Sequence, residues 1–417
     1  MKIRYLLAIF AIAIIIVALF AMMRIDNSAA YASSDELAAA ADPALVSANT
    51  RFAFTIFKQL TAEDSGQNVF ISPLSISTAL AMAYNGANGE TRDGMTRTLE
   101  LNNMSLDDMN IGYLTLIQSL EHADSQVTLS IVNSMWMREE FEPAVRADYR
   151  GRVKDFYESD VLTRDFSNPQ TVNEINGWIS EETQGMIPTM IDTINPQLEM
   201  FLINAIYFRG DWVNQFKESQ TRREDFHLAD GTTTQVDMMS TSATFGYYKG
   251  ADFAAARLPY GRDKIAMYVF LPDENTTIDA FIATMDDEMW TRAMNGFHEV
   301  DDLQLKLPKF KLEYGKKRLN DALAALGMGT AFQPGRADFT GIAPRDLYIG
   351  FVDHKAVIKV DEKGSEAAAV TVIGVETTNF REPITFFVDR PFFFVIRDDR
   401  SGTILFMGKA VNPPAYT

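Results

Sequence analysis

The sequence predicts a mixed sheet protein, α+β or α/β, built as one large domain. Three observations predict it. Helical patterns dominate the first half of the chain. Segments rich in aromatic and β-branched residues, the signature of strands, cluster in the second half. No Gly/Ser-rich or Pro-rich linker and no internal repeat interrupts residues 48–414. A length of 417 residues allows two or three domains, but the unbroken pattern argues for one. A hydrophobic content of 47% with 23% charged residues is that of a folded chain.

At the N-terminus, Lys2 and Arg4 precede 19 uncharged residues, Tyr5 to Met23, and then the small residues Ser28, Ala29 and Ala30. A basic start, an apolar stretch and a small-residue site describe an export signal. The stretch is also just long enough to span a bilayer. Residues 1–30 are therefore expected to be either a cleaved signal peptide or a retained signal anchor, with a membrane tether through residues 5–23 in the second case. The remainder is expected outside the cytoplasm, extracellular or in the cell envelope. Residues 31–47, rich in Ala and Ser, read as a spacer, and residues 48–417 as the domain. Helical patterns follow from Ala48, then over Ser75–Leu101 and Thr171–Met190. Strands are expected at Ile265–Leu271, Leu303–Phe310, Ala356–Val360, Phe386–Val388, Phe392–Arg397 and Thr403–Gly408.

Composition removes whole classes of function. The first 30 residues carry a net +2, so the rest carries −20. Such a balance argues against a nucleic-acid partner, which needs clustered Lys and Arg. Zero cysteine excludes disulfides, thiolate metal sites and cysteine nucleophiles. Only His122, His227, His298 and His354 supply imidazoles, and no two have metal-binding helical spacing. No nucleophile elbow, zinc-protease helix, phosphate loop or dinucleotide glycine pattern occurs. No enzyme, cofactor or metal site is expected.

One segment stands out. Lys363–Thr385 is a long stretch with few large apolar anchors between two strong strand signals, and long loops in compact domains are usually functional. Read as an extended strand, it places Ser365, Ala367, Ala369, Thr371, Ile373 and Val375 on one uncharged face, with Glu366 and Glu376 on the other. A permanent strand with an Ala-rich start fits that periodicity equally well.

Several motifs, in order along the chain, carry a family resemblance. They include Asn68–Ser77 with the helix after it, Ser130–Trp136, Ile175–Pro188, Leu202–Trp212, Leu258–Gly261, Met267–Pro272, Leu326–Phe332, His354–Thr371 and Leu405–Pro413. From about Ala48 to Pro414 the chain resembles the serpins, serine protease inhibitors of the suicide-substrate type, and looks like a prokaryotic member. The resemblance implies an α+β fold of three β-sheets with about nine helices and an exposed reactive loop. A protease cleaves that loop, which then inserts as a new strand into the central sheet and traps the acyl-enzyme. The implied hinge is Glu362, Lys363, Gly364, Ser365, Glu366, Ala367, Ala368, Ala369, Val370 and Thr371. It has no proline and a small residue at each inward position, which favours inhibition. Ser365 stands where many relatives have threonine. Counting seventeen residues from Glu362 puts the reactive bond at Thr378–Asn379, with Phe380 and Arg381 as alternatives. Thr378 suits an elastase-like target, Phe380 a chymotrypsin-like one and Arg381 a trypsin-like one. Subtilisin-like proteases are further expected partners. Ser72, Ser75, Asn204 and His354 match the family's shutter, and Trp212 its breach. The protein is expected to be a monomer. The alternative is a non-inhibitory serpin acting as a binding or chaperone-like protein.

Overall fold

In the computed structural model the described residues are 33–414 except 122, 160 and 366–382; the side chains of Val132, Ala205 and Ser365 are also outside the description. The apolar run at 5–23, the hinge from Glu366 to Thr371 and the reactive-bond candidates Thr378, Asn379, Phe380 and Arg381 therefore lie outside it.

Ten α-helices occur among the described residues: α1 (Ser34–Ala39), α2 (Pro43–Glu63), α3 (Pro73–Tyr84), α4 (Gly89–Thr98), α5 (Leu106–Glu121), α6 (Ala147–Tyr157), α7 (Gln170–Glu182), α8 (Ile278–Thr284), α9 (Asp287–Gly296) and α10 (Asn320–Leu323). The spacer expected at 31–47 is corrected here. Ser33 and Glu36 form a reciprocal capping box that starts α1. Asp42 caps α2, whose first residue is Pro43, and Leu45 is fully buried. These start signals were present in the sequence, and the Ala-rich composition masked them. The helix expected over 75–101 is two helices, broken between Tyr84 and Gly89. That over 171–190 stops at Glu182, because Gln184 and Gly185 turn to positive φ and Gly185 N–H bonds back to Ser180 O at 2.7 Å. Gly112 on α5 lets α2 approach, since a Cβ there would meet Leu45 at 2.6 Å.

Among the described residues fifteen strands form two ladders. The larger contains β1 (Val69–Ile71), β5 (Arg222–His227), β6 (Thr233–Lys249), β7 (Phe253–Tyr260), β8 (Ile265–Pro272), β9 (His298–Pro308), β13 (Thr385–Phe387), β14 (Phe392–Asp398) and β15 (Ile404–Ala410). Its order is β1-β15-β14-β8-β7-β6-β9-β13, with β5 beside β6. The third sheet that the resemblance implies is the β5-β6-β9-β13 end of this ladder. The 17-residue β6 joins it to the rest by pairing with β7 near one end and with β5 and β9 along its length.

The smaller ladder contains β2 (Val127–Arg138), β3 (Val161–Arg164), β4 (Met200–Asp211), β10 (Phe310–Arg318), β11 (Ile349–Val360) and β12 (Gly364–Ser365). Its order is β10-β11-β4-β2-β3, with the two residues of β12 paired to the end of β4. The β11–β4 pairing at its centre is parallel. The two faces of β4 are unlike. Leu202, Ile206 and Phe208 join the main core, while Phe201 and Ile203 pack with Ile175 and Ile179 of α7 in a second cluster. This is the period-2 alternation of a strand buried on both faces.

Candidate functional site

The segment singled out in the sequence begins where β11 ends. After Val360 the chain turns back through Asp361–Lys363 and runs as β12 antiparallel to β4, pairing Gly364 with Asp211 and Ser365 with Gly210. Asp361 makes the turn: its Oδ1 accepts from the N–H of Lys363 at 3.0 Å and of Gly364 at 3.2 Å. Gly364 has φ +153°, and a Cβ there would lie 2.1 Å from Gly210 O. Only glycine fits so close to β4.

Trp212 closes this corner. Its N–H donates to Lys363 O at 2.7 Å and its Nε1–H to Asp361 O at 2.9 Å, and its ring stacks on Tyr260 at 4.2 Å. Glu362 is only 5% exposed. Lys309 Nζ lies 2.8 Å from its Oε2, and the Thr221 hydroxyl donates to its Oε1 at 2.7 Å. Burial alone would raise the Glu362 carboxyl. The Lys309 and Thr221 bonds outweigh burial and hold it below the usual value. The structure thus brings Trp212, Glu362, Lys363 and Gly364 to one end of the β4–β11 seam. Sequence reasoning assigned no role here to Asp361, Lys309, Thr221 and Tyr260, although Asp361 and Tyr260 lie inside quoted motifs.

A second cluster sits midway down the same seam. Register puts His354 on β11 opposite Asn204 on β4, and Asn204 opposite Asn133 on β2. From below, the start of α3 supplies Ser72 and Ser75. Ser72 caps α3, accepting from Ser75 N–H at 3.3 Å and donating to Leu405 O at 2.7 Å. The Ser72 N–H donates to His354 Nε2 at 3.2 Å. This assigns the proton to Nδ1, which donates to Asn204 Oδ1. The Asn204 amide donates in turn to Ser75 Oγ and Asn133 Oδ1. All four predicted residues therefore meet. Asn133, inside a quoted motif, was not recognised as the fifth.

Burial depresses the His354 imidazole to about 3. The folded chain keeps this ring neutral, whereas the unfolded chain protonates it below about 6.5. Its stabilising effect is present above that pH and is lost as pH falls toward 3. Between pH 7 and 5 it should cost about 2 kcal/mol. Urea titrations at the two pH values should show this loss in the wild type, and His354→Gln should lack that share of the slope. An equal slope in the variant would refute the assignment.

The arrangement is a parallel seam whose end already accepts two residues of a returning chain, with a polar cluster bridging it lower down. Among the described residues there it presents no nucleophile paired to a base. Among the described residues no group of His, Asp and Glu could hold a metal ion. No helix among them is long and apolar enough to cross a membrane.

Comparison with known proteins gives concordant results. The family model "Serpin (serine protease inhibitor)" matches residues 47–413. An uncharacterised serpin-like protein of Thermococcus kodakarensis is 37% identical over 378 residues, covering 88% of this chain and 86% of its own. A leukocyte elastase inhibitor of Xenopus tropicalis is 33% identical over 380 residues, covering 88% and 99%. The native structure of the thermophilic serpin tengpin matches with a TM-score of 0.81 at 30% identity, covering 89% of this chain and 95% of that one.

Proposed function

Because the chain belongs to the serpin family of serine protease inhibitors, we propose that it inhibits its protease as a suicide substrate, by inserting the cleaved loop into the β4–β11 seam. The protease serine attacks the Thr378 carbonyl and releases the Asn379 amine, leaving an ester. Insertion then outruns its hydrolysis. The observation that supports this most directly is β12. Its register with β4 (Gly364 with Asp211, Ser365 with Gly210) can be continued one residue at a time.

Continued in this way, Ala367 arrives opposite Phe208 and Ala369 opposite Ile206, both on the main-core face. Glu366 arrives beside Arg209 on the other face. This agrees with the parity read from the sequence. Thr371 arrives level with Asn204, between it and its present partner His354, and its hydroxyl replaces the bond that separation of β4 and β11 breaks. Thr378 arrives opposite Gln197, just beyond the Met200 end of β4. The span from Gly364 to Thr378 is on the order of 50 Å at about 3.3 Å per residue. The loop is therefore long enough to carry an attached protease from one end of the seam to the other.

The small β-branched side chain of Thr378 favours an elastase-class target. A location outside the cytoplasm, released or membrane-tethered, is the reading that the N-terminal apolar run at residues 5–23 supports. The test is incubation with elastase, chymotrypsin, trypsin and subtilisin. The expected product is an SDS-stable complex with at least one, together with a released C-terminal peptide that mass spectrometry shows to begin at Asn379. Clean cleavage by all four with no complex would overturn the inhibitory reading.

A further inference from the structure

α1 lies ahead of the family match at 47–413, yet the fold holds it firmly. Ala38 is 2% exposed, and α1 packs along α5. Asp35, in its first turn, takes Lys264 Nζ on both oxygens at 2.7 and 2.8 Å, and Arg400 at 3.2 Å. These two cations belong to different turns of the larger sheet, β7–β8 and β14–β15. Arg400 is itself fixed by Asp398 Oδ1 at 2.8 Å and Ser119 O at 3.1 Å. Ser119 is in the last turn of α5, so one carboxylate ties α1, α5 and two turns together.

The β7–β8 turn reaches the mouth of the seam. Gly261 N–H donates to Asp211 O at 2.8 Å, and Arg262 N–H to Asp124 Oδ2 at 2.5 Å, just before β2. Tyr260 bridges to and stacks on Trp212. Asp211 is the residue with which Gly364 pairs. A continuous run of contacts therefore leads from Asp35 to the point where insertion starts. Opening the seam must displace β4 and β2, with the α5–β2 connection, relative to the larger sheet. α1 is fastened to both sides of that movement.

We propose that α1 is a strap that holds the seam shut against insertion without a protease. This rests on the insertion mechanism above. An exposed ion pair is a weak tie, and a strap needs only a few-fold effect to slow a rate. Its loss acts on kinetic stability, not on the chemistry of the loop.

The test uses the full chain and its variants Asp35→Ala, Asp35→Glu and Ala38→Arg. Each is heated below its melting temperature and sampled for the fraction still able to form the SDS-stable complex. Asp35→Ala should shorten the half-life of that fraction about two- to fivefold. Ala38→Arg, which pries the helix from α5, should shorten it further, and Asp35→Glu should retain most of it. The inactivated material should be monomeric and melt higher than the starting protein, as an inserted form does. Freshly purified proteins should all give the same complex yield. Unchanged half-lives in both Asp35→Ala and Ala38→Arg, with normal fresh yields, would overturn the strap. So would inactivation into aggregates or unfolded chain. Absence of complex in the fresh wild type would instead overturn the inhibitory mechanism itself.

Discussion

Replacing Ala367 with Arg should turn the inhibitor into a substrate. Continued from β12, the proposed register would bring position 367 opposite Phe208, which is 3% exposed and faces the main core. A guanidinium placed there has no carboxylate partner, and burying it unpaired costs several kcal/mol, on the order of the penalty for breaking a buried ion pair. Insertion would stall after the first residues, and the acyl-enzyme would hydrolyse. Complex yield should fall at least about tenfold, because ~1.4 kcal/mol in the competing barrier already makes a factor of ten. The protease should accumulate cleaved chain and keep its activity. Glu366→Gln, one position earlier on the opposite face, should leave the yield within about twofold. If Ala367→Arg formed complex as well as the wild type, the parity argument would be wrong.

The second large effect is on stability after cleavage. A loop freed at Thr378 would add residues 366–378, about 13 residues of strand, between β4 and β11 beyond the two already paired. At about 1 kcal/mol net per ladder bond the gain is on the order of 10 kcal/mol. For a chain of this size that corresponds to a rise in melting temperature on the order of 10 °C. Scanning calorimetry before and after nicking by a protease that cleaves without forming complex would measure it. A melting temperature unmoved by the nick would mean that the native seam stores no strain.

How much of this was legible in the sequence varied with range. The order of helices and strands followed from local periodicity and start signals, and the errors were also local. The Ala-rich stretch at 31–47 hid the Ser33–Glu36 box and the Asp42–Pro43 start. The Gln184–Gly185 turn shortened a helix that its hydrophobic pattern would have prolonged. The polar groups were harder. Ser72, Ser75, Asn204 and His354 came from the resemblance. Asn133 was missed because nothing in its neighbourhood distinguishes an inward-facing Asn on a strand from a solvated one. Lys309 and Thr221 were missed for the same reason: their partner Glu362 is 53 and 141 residues away.

The features that fit the loop to become a strand are all present in the sequence. The absence of proline from its first part, the glycine at 364 and the alternation of small side chains are properties of covalent geometry and strand period. They hold wherever the loop is placed. Long-range packing settled which residues meet at the seam into which, on the proposed mechanism, the loop would insert. The β11–β4 register sets His354 against Asn204 across 150 residues, and the clasp of Asp35 by Arg400 spans 365. A hydrogen bond is fixed by distances of about 3 Å between atoms, and periodicity along a chain carries no information about which distant atoms will come that close. Packing supplies it, by forcing β2, β4, β11 and α3 into one arrangement that brings His354, Asn204, Asn133, Ser72 and Ser75 within bonding distance.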